Sequence, residues 1–114
     1  DLELRYDPTC PYAVEARFAV GLAPVSWVFA RDLLALGQFE PVGRGDVHVR
    51  PDLDEAGRAT VLLELQSPDG VALVELPARE VRPFVATTTD VVAPGTESRH
   101  IDVDAALRAV LTAD

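Results

Sequence analysis

The sequence predicts an α+β domain built on antiparallel sheet, and three observations carry that prediction. Several short runs alternate apolar and polar residues with the period of two that a half-buried strand requires. At SWVFARDLLALG, Ser26 to Gly37, a strand-like run turns into a helix-like one with no loop between, which predicts a buried junction. The order strand, turn, strand, helix then occurs twice, over Tyr12 to Leu36 and over Ala59 to Ala86, as an internal ββα duplication would produce.

Element by element, Leu2, Leu4 and Tyr6 alternate with Asp1, Glu3 and Arg5 as a short strand ended by Asp7-Pro8. From Tyr12 the pattern resumes, with Val14, Ala16, Phe18 and Val20 on one face, and Gly21 to Pro24 reads as the turn. Val25, Trp27 and Phe29 share the next strand's inner face before Arg31 and Asp32 open a helix carrying Leu33, Leu34 and Leu36. Gly43-Arg44-Gly45-Asp46 reads as a turn leading into a strand with Val47, Val49 and Pro51 on one side and His48 and Arg50 on the other. Leu53 to Arg58 is a turn or loop.

The second unit starts with the aliphatic and β-branched run Ala59 to Leu65, followed by Ser67-Pro68-Asp69-Gly70. That is a hairpin signal: Pro presets φ, Asp can bond its own backbone, and Gly accepts a positive φ. Val71 to Leu76 returns. Pro77 suits a helix's first position, and Ala78, Val81, Phe84 and Val85 fall at helical spacing. Pro83 lacks an N–H and crowds the preceding turn, so the reading is a kink, a restart or a short helix. The Thr-, Pro- and Gly-rich tract Thr87 to Gly95 reads as a connector. Beyond it, Asp102 as N-cap, Asp104 in the first turn and the stripe Val103, Ala106, Leu107, Val110 and Leu111 predict a C-terminal helix.

Composition narrows the function classes. The 114 residues suit one domain spanning 1–114, and 48% hydrophobic residues can supply a core without disulfides or metal. Cys10 stands alone, which excludes an internal disulfide and suits a reducing cytoplasm. No apolar run approaches the roughly 20 residues of a membrane helix, so no membrane insertion is expected. Every basic side chain other than histidine is Arg, with no Lys, Asn or Met and a single Ile, the signature of a GC-rich genome. A net charge of −9 sets a general repulsion against nucleic acid and favours a protein partner, or serves solubility alone.

No constellation carries chemistry. His48 and His100 have no Cys or second His at metal-ligand spacing, so no metal, cofactor-binding or catalytic residue is assigned and no cofactor is expected. Gly43-x-Gly45 lacks the third glycine of a dinucleotide fingerprint. Arg44-Gly45-Asp46, an adhesion tripeptide elsewhere, reads here as a tight turn. Asp52, Asp54 and Glu55 crowd one loop without an opposed acid and base. Trp27 follows the alternation of the core, with an interface anchor as the alternative reading. Arg31 and Asp32 read as a helix-start charge pair, in which Asp32 suits the positive end of the dipole whereas Arg31 needs another partner.

Three segments in order, SWVFARDLLALG, GRGDVHVRP at Gly43 to Pro51 and PGTESRHIDVDAALRAVL at Pro94 to Leu111, resemble the SsgA/SsgB-like family of actinobacterial sporulation and cell-division regulators. The resemblance implies a non-catalytic cytoplasmic protein acting at the division septum, where it selects the septum site by recruiting or stabilising the tubulin-like GTPase FtsZ. FtsZ and other SsgA/SsgB-like proteins are the partners it implies, with the binding residues unknown. It further implies a fold like that of the Whirly-type single-strand nucleic-acid-binding proteins, a bell-shaped homotrimer, and an additional N-terminal β segment before Asp1. Single-strand nucleic-acid binding is the alternative function. It would need a basic groove with stacking aromatics, for which an Arg face of Arg17, Arg44, Arg50 and Arg58 is the candidate.

Overall fold

In the computed structural model, which describes residues 2–101, the chain forms seven strands, two α-helices and a closing 3-10 turn. Strands β1 (Glu3–Arg5), β2 (Ala13–Val20) and β3 (Ala23–Ala30) make a three-stranded antiparallel sheet, and α1 (Arg31–Gly37) follows β3 directly. Strands β4 (Val42–Arg44), β5 (Val47–Leu53), β6 (Ala59–Ser67) and β7 (Gly70–Pro77) make a four-stranded antiparallel sheet in sequence order. Helix α2 (Ala78–Val91) follows β7, and the 3-10 turn covers Glu97–His100.

The α+β class and the repeated ββα unit hold. Ala30 (φ −65°, ψ 133°) and Pro77 (φ −60°, ψ 130°) are extended residues from which each helix starts without a loop. Both second strands have eight residues and the same burial sequence, exposed at the hairpin and buried at Phe29 and Leu76, one residue before the junction. Five residues after each of these, Leu34 and Val81 are fully buried on the following helix. The same alternation therefore delivers the same helix face to the core twice.

Four local expectations change. The first hairpin loop is only Gly21-Leu22, since Val20 pairs with Ala23, and Pro24 lies inside edge strand β3, where its missing N–H is tolerated. Gly21 at φ 62° supplies the positive φ that a two-residue loop needs at its first position. Gly43 and Arg44 are not turn residues but belong to β4, and Gly45-Asp46 alone connect it to β5. α2 neither stops nor restarts at Pro83; it runs 14 residues. Consequently Thr87 to Val91 is helix, and only the residues after it form the connector.

A threonine tract can be helical here because each hydroxyl is satisfied locally. Thr87 Oγ1 donates to Pro83 O at 2.9 Å, and Thr88 and Thr89 donate to Val85 O at 2.7 and 3.0 Å. The expected C-terminal helix from Asp102 lies outside the described residues.

One core joins both sheets and both helices: Val14, Ala16 and Phe29 from the first sheet, Val49, Leu63 and Leu65 from the second, with Leu33, Leu34 and Val81 from the helices. Burying each large aliphatic contributes about 1.5–3 kcal/mol before conformational entropy is counted. Gly37 lets α1 lie directly on β5, because a Cβ there would overlap the Val49 side chain. Trp27 is half-buried and packs against this core, as its alternation required.

Candidate protein-contact surface

The surface is organised by one buried charged side chain. Arg31, 4% exposed, begins α1, and Tyr12 O accepts from its backbone N–H at 2.8 Å. Its guanidinium donates to Thr88 O (3.0 Å) and Val92 O (2.7 Å) at the end of α2, to Tyr6 Oη (3.2 Å) beyond β1, and to Glu97 Oε2 (2.8 Å) in the 3-10 turn. The same cation stands 5.4 Å from the centre of the Tyr6 ring. Arg31 thereby supplies the positive charge that the C-terminal carbonyls of α2 lack from their own last turn, which has no basic residue.

Glu97 is clamped from both sides: Oε1 accepts from Gly95 N at 2.7 Å, and Oε2 from Arg31. Its own backbone N–H, then the Arg31 guanidinium, hold its carboxyl below the usual carboxylate range. Burial, only partly offset by Arg31, pushes the Tyr6 hydroxyl up. The Arg31 side chain therefore pairs not with Asp32 beside it but with Glu97, sixty-six residues away, because the guanidinium turns inward to the end of α2. Nothing local in the sequence joins Tyr6, Arg31 and Glu97; the signal that could have pointed there is an arginine at a junction flanked by Phe29, Leu33 and Leu34.

Outside this clasp the two sheets present different outer faces. On the first, Arg5 and Arg17 pair with Glu3 (3.5 Å) and Glu15 (3.2 Å), and the Ser26 hydroxyl donates to Glu15, lowering that carboxyl's pKa. Such exposed pairs fix side-chain positions more than they stabilise. A cleft of about 470 Å³ on this side is lined by Arg5, Asp7, Cys10, Glu15, Arg17 and Val28, among others. On the second, the register aligns His48, Glu64 and Leu73 in one row and Arg50, Leu62 and Glu75 in the next.

Large apolar side chains stay in solvent at chosen places. Val20 and Leu22 at the β2–β3 hairpin are exposed, Leu22 completely, as are Val28 on β3 and Val71 and Leu73 on β7. β3 and β7 are the last strands of their sheets, so Val28, Val71 and Leu73 accompany unpaired backbone edges, while Val20 and Leu22 stand at the hairpin end. The hairpin is consistent with a Cα radius of gyration of 15.9 Å, against about 13 Å for a compact chain of this length.

The residues weighed from sequence take ordinary positions. Asp54 Oδ1 accepts from Ala56 N and Arg58 N at 2.9 and 2.8 Å, so it organises its own loop. Cys10 is exposed in the turn before β2, His48 lies on the outer face of β5, and His100 ends the 3-10 turn. Among the described residues no three His, Cys, Asp or Glu side chains gather as a metal site would require. Three of the four arginines of the proposed face are not free charge: Arg17, Arg50 and Arg58 lie within 4.0 Å of Glu15, Glu64 and Asp54 respectively, while Arg44 has no carboxylate that close among the described residues.

Residues 1–97 match the family described as "Streptomyces sporulation and cell division protein, SsgA". The chain is 50% identical over 109 residues to the sporulation-specific cell division protein SsgB of Streptomyces coelicolor, covering 95% of this chain and 79% of that protein. It is 48% identical over 114 residues to SsgB of Saccharopolyspora erythraea, covering 99% and 79%. A solved structure concerning SsgB mutations that correlate to longitudinal cell division during sporulation of S. coelicolor superposes with a TM-score of 0.79 at 49% identity, covering 86% of this chain and 77% of the other. The SsgA-like sporulation-specific cell division protein of Thermobifida fusca superposes at 0.77 with 34% identity, covering 95% and 79%. With the family model matched over residues 1–97, about half of its sequence shared with these relatives and its fold superposing on theirs, the chain belongs to the SsgA family of sporulation and cell-division proteins.

Proposed function

We propose that this protein selects the septum site in sporulation-linked division by recruiting or stabilising FtsZ through direct protein contacts at the septum, without catalysis. Membership of a sporulation cell-division family supports the process. The observation that carries the mode of action is the exposed apolar set at the β2–β3 hairpin and on the edge strands: Val20 and Leu22 at the hairpin, Val28 on β3, and Val71 and Leu73 on β7. Large aliphatics left in solvent beside open strand edges weaken a monomer's solubility and serve a chain that is covered by another protein.

An oligomer, a trimer by family resemblance, would present several copies of such a surface. Linked copies raise effective concentration, so individually weak contacts can organise a filament. Co-sedimentation with polymerised FtsZ tests the reading: the protein is expected in the pellet with FtsZ polymer and in the supernatant without it. Equal partition in both conditions refutes recruitment.

A further inference from the structure

The start of α2 is built against its own electrostatics. Pro77 occupies the N-cap and no side chain caps the helix, so first-turn N–H groups remain available at the positive end of a 14-residue dipole. Arg79 sits in that first turn and Arg82 lies three residues on, along the same face, where positive charge opposes the dipole. Both are exposed, and neither lies within 4.0 Å of a carboxylate among the described residues, a lack they share with Arg44 and Arg99, whereas Arg5, Arg17, Arg31, Arg50 and Arg58 each have one. Two cations at an uncapped helix start, offset there only by Glu80 in the same turn, cost stability unless a further anion joins them.

A second observation points to a ligand at the same place. A cleft of about 570 Å³ is lined by Arg58, Ala59, Ala78, Arg79, Arg82 and Pro83. It adjoins a cleft of about 160 Å³ that shares Arg58, Ala59 and Arg79 and includes Thr60. Thr60 is 5% exposed, and its hydroxyl is buried with no hydrogen-bond partner among the described residues. A buried hydroxyl left unpaired is unfavourable, and a group entering the cleft could satisfy it.

We propose that the start of α2 binds a carboxylate-rich peptide segment of a protein partner, held by Arg79 and Arg82, by first-turn N–H groups and by the Thr60 hydroxyl. The inference rests on the reading that this protein works by protein contacts, and it supplies the chemistry of one of them. A short acidic segment fits the charge pattern better than an extended polyanion. Asp54 is already committed to Arg58 at 3.3 Å, while Glu75 borders the smaller cleft and Glu80 shares the first turn. Phosphates running past the arginines would meet these carboxylates and the net charge of −9, whereas two or three carboxylates can stop at the cluster. Arginine also matches a carboxylate through paired N–H donors.

Fluorescence anisotropy of the full chain with a labelled hexapeptide of aspartate and glutamate tests the site. Binding that weakens with salt is expected, falling at least tenfold in the Arg79→Glu/Arg82→Glu double variant. Those substitutions place acids near the positive helix end, so the fold is expected to hold, as circular dichroism would verify. Thr60→Val should weaken binding several-fold while the melting temperature stays constant or rises. Equal affinity for the matching asparagine and glutamine peptide, or unchanged affinity in the folded double variant, overturns the proposal. Tighter Arg-dependent capture of a thymidine oligonucleotide or of phosphatidylglycerol vesicles also overturns it, assigning the cleft to a different anion. If FtsZ polymer pellets the protein but the acidic peptide does not bind, the cleft proposal fails and recruitment stands. If the peptide binds and FtsZ does not pellet the protein, the cleft proposal stands and recruitment fails.

Discussion

Arg31 shows how one residue can decide both stability and surface. A buried guanidinium is tolerable only because every direction it faces offers an acceptor: two carbonyls of the α2 C-terminus, Tyr6 Oη and Glu97. Arg31→Met removes the cation and leaves Glu97 and those carbonyls without their partner, so the melting temperature should fall by on the order of 10 °C. The acid side follows from the depressed Glu97 carboxyl, which binds its proton less readily when folded than the ordinary 4.5 would give. Its stabilisation is complete above the unfolded value and disappears as pH falls through the folded one. Thermal unfolding from pH 7 to pH 3 should therefore show a decline beginning near pH 4.5 whose slope is shallower in Glu97→Gln. Asp7 and Asp54, lowered by backbone N–H groups of Thr9 and Arg58, keep part of the slope in that variant. Gly37 makes the opposite demand, for less atom rather than more hydrogen bonding. Gly37→Ala would drive a methyl into Val49 and should cost about 1–3 kcal/mol, with partial recovery in Gly37→Ala/Val49→Ala. Simple additivity of the two losses would refute the contact.

At the scale of elements, the ββα unit works because a strand can feed a helix without a loop when the last strand residue is extended and the next apolar residue falls on the helix's inner face. Ala30 and Pro77 meet that condition by different chemistry, one a small residue and one with φ fixed by its ring. α2 then accepts Pro83 on its exposed side, at the cost of one backbone donor toward the Arg79 carbonyl. Pro83→Ala restores that donor, and the denaturation midpoint should rise by an amount equivalent to about 1–3 kcal/mol. A fall in stability would mean that the proline's fixed φ contributes more through the unfolded chain than the missing bond costs. The hairpins follow the same economy of residues, with Gly21 and Gly45 placing positive φ at the first position of two-residue loops.

For the whole molecule, the distribution of apolar surface matters more than its amount. Leu22, Val28, Val71 and Leu73 are exposed although the core continues between both sheets, so their exposure follows from a hairpin tip and from the outer faces of the edge strands and not from a poor core. Light scattering at micromolar concentration should give about three times the 12.3 kDa of one chain, and Leu22→Glu with Val71→Glu should shift that mass downward while leaving far-UV circular dichroism unchanged. A single-chain mass for the unmodified protein refutes the oligomer; a dimer refutes the trimer.

Much of this architecture is a matter of period and turn chemistry, both of which are local. Alternation placed Val14, Ala16 and Phe29 inside, the Pro68-Asp69-Gly70 turn set the β6–β7 hairpin, and the loopless Ser26 to Gly37 junction was visible before any contact was known. The α2 extension was hidden because Thr87 to Thr89 are helix-poor in isolation, and their hydroxyls become satisfied only once the preceding turn exists. The clasp and the α2 cleft were hidden for a different reason. Arg31 meets Glu97 across sixty-six residues, and Thr60 becomes an orphan only when β6 lies beside the start of α2. Pattern along a chain determines which face each element buries; which charges and hydroxyls then find partners, or are left for one, depends on distances that exist only after the elements have packed.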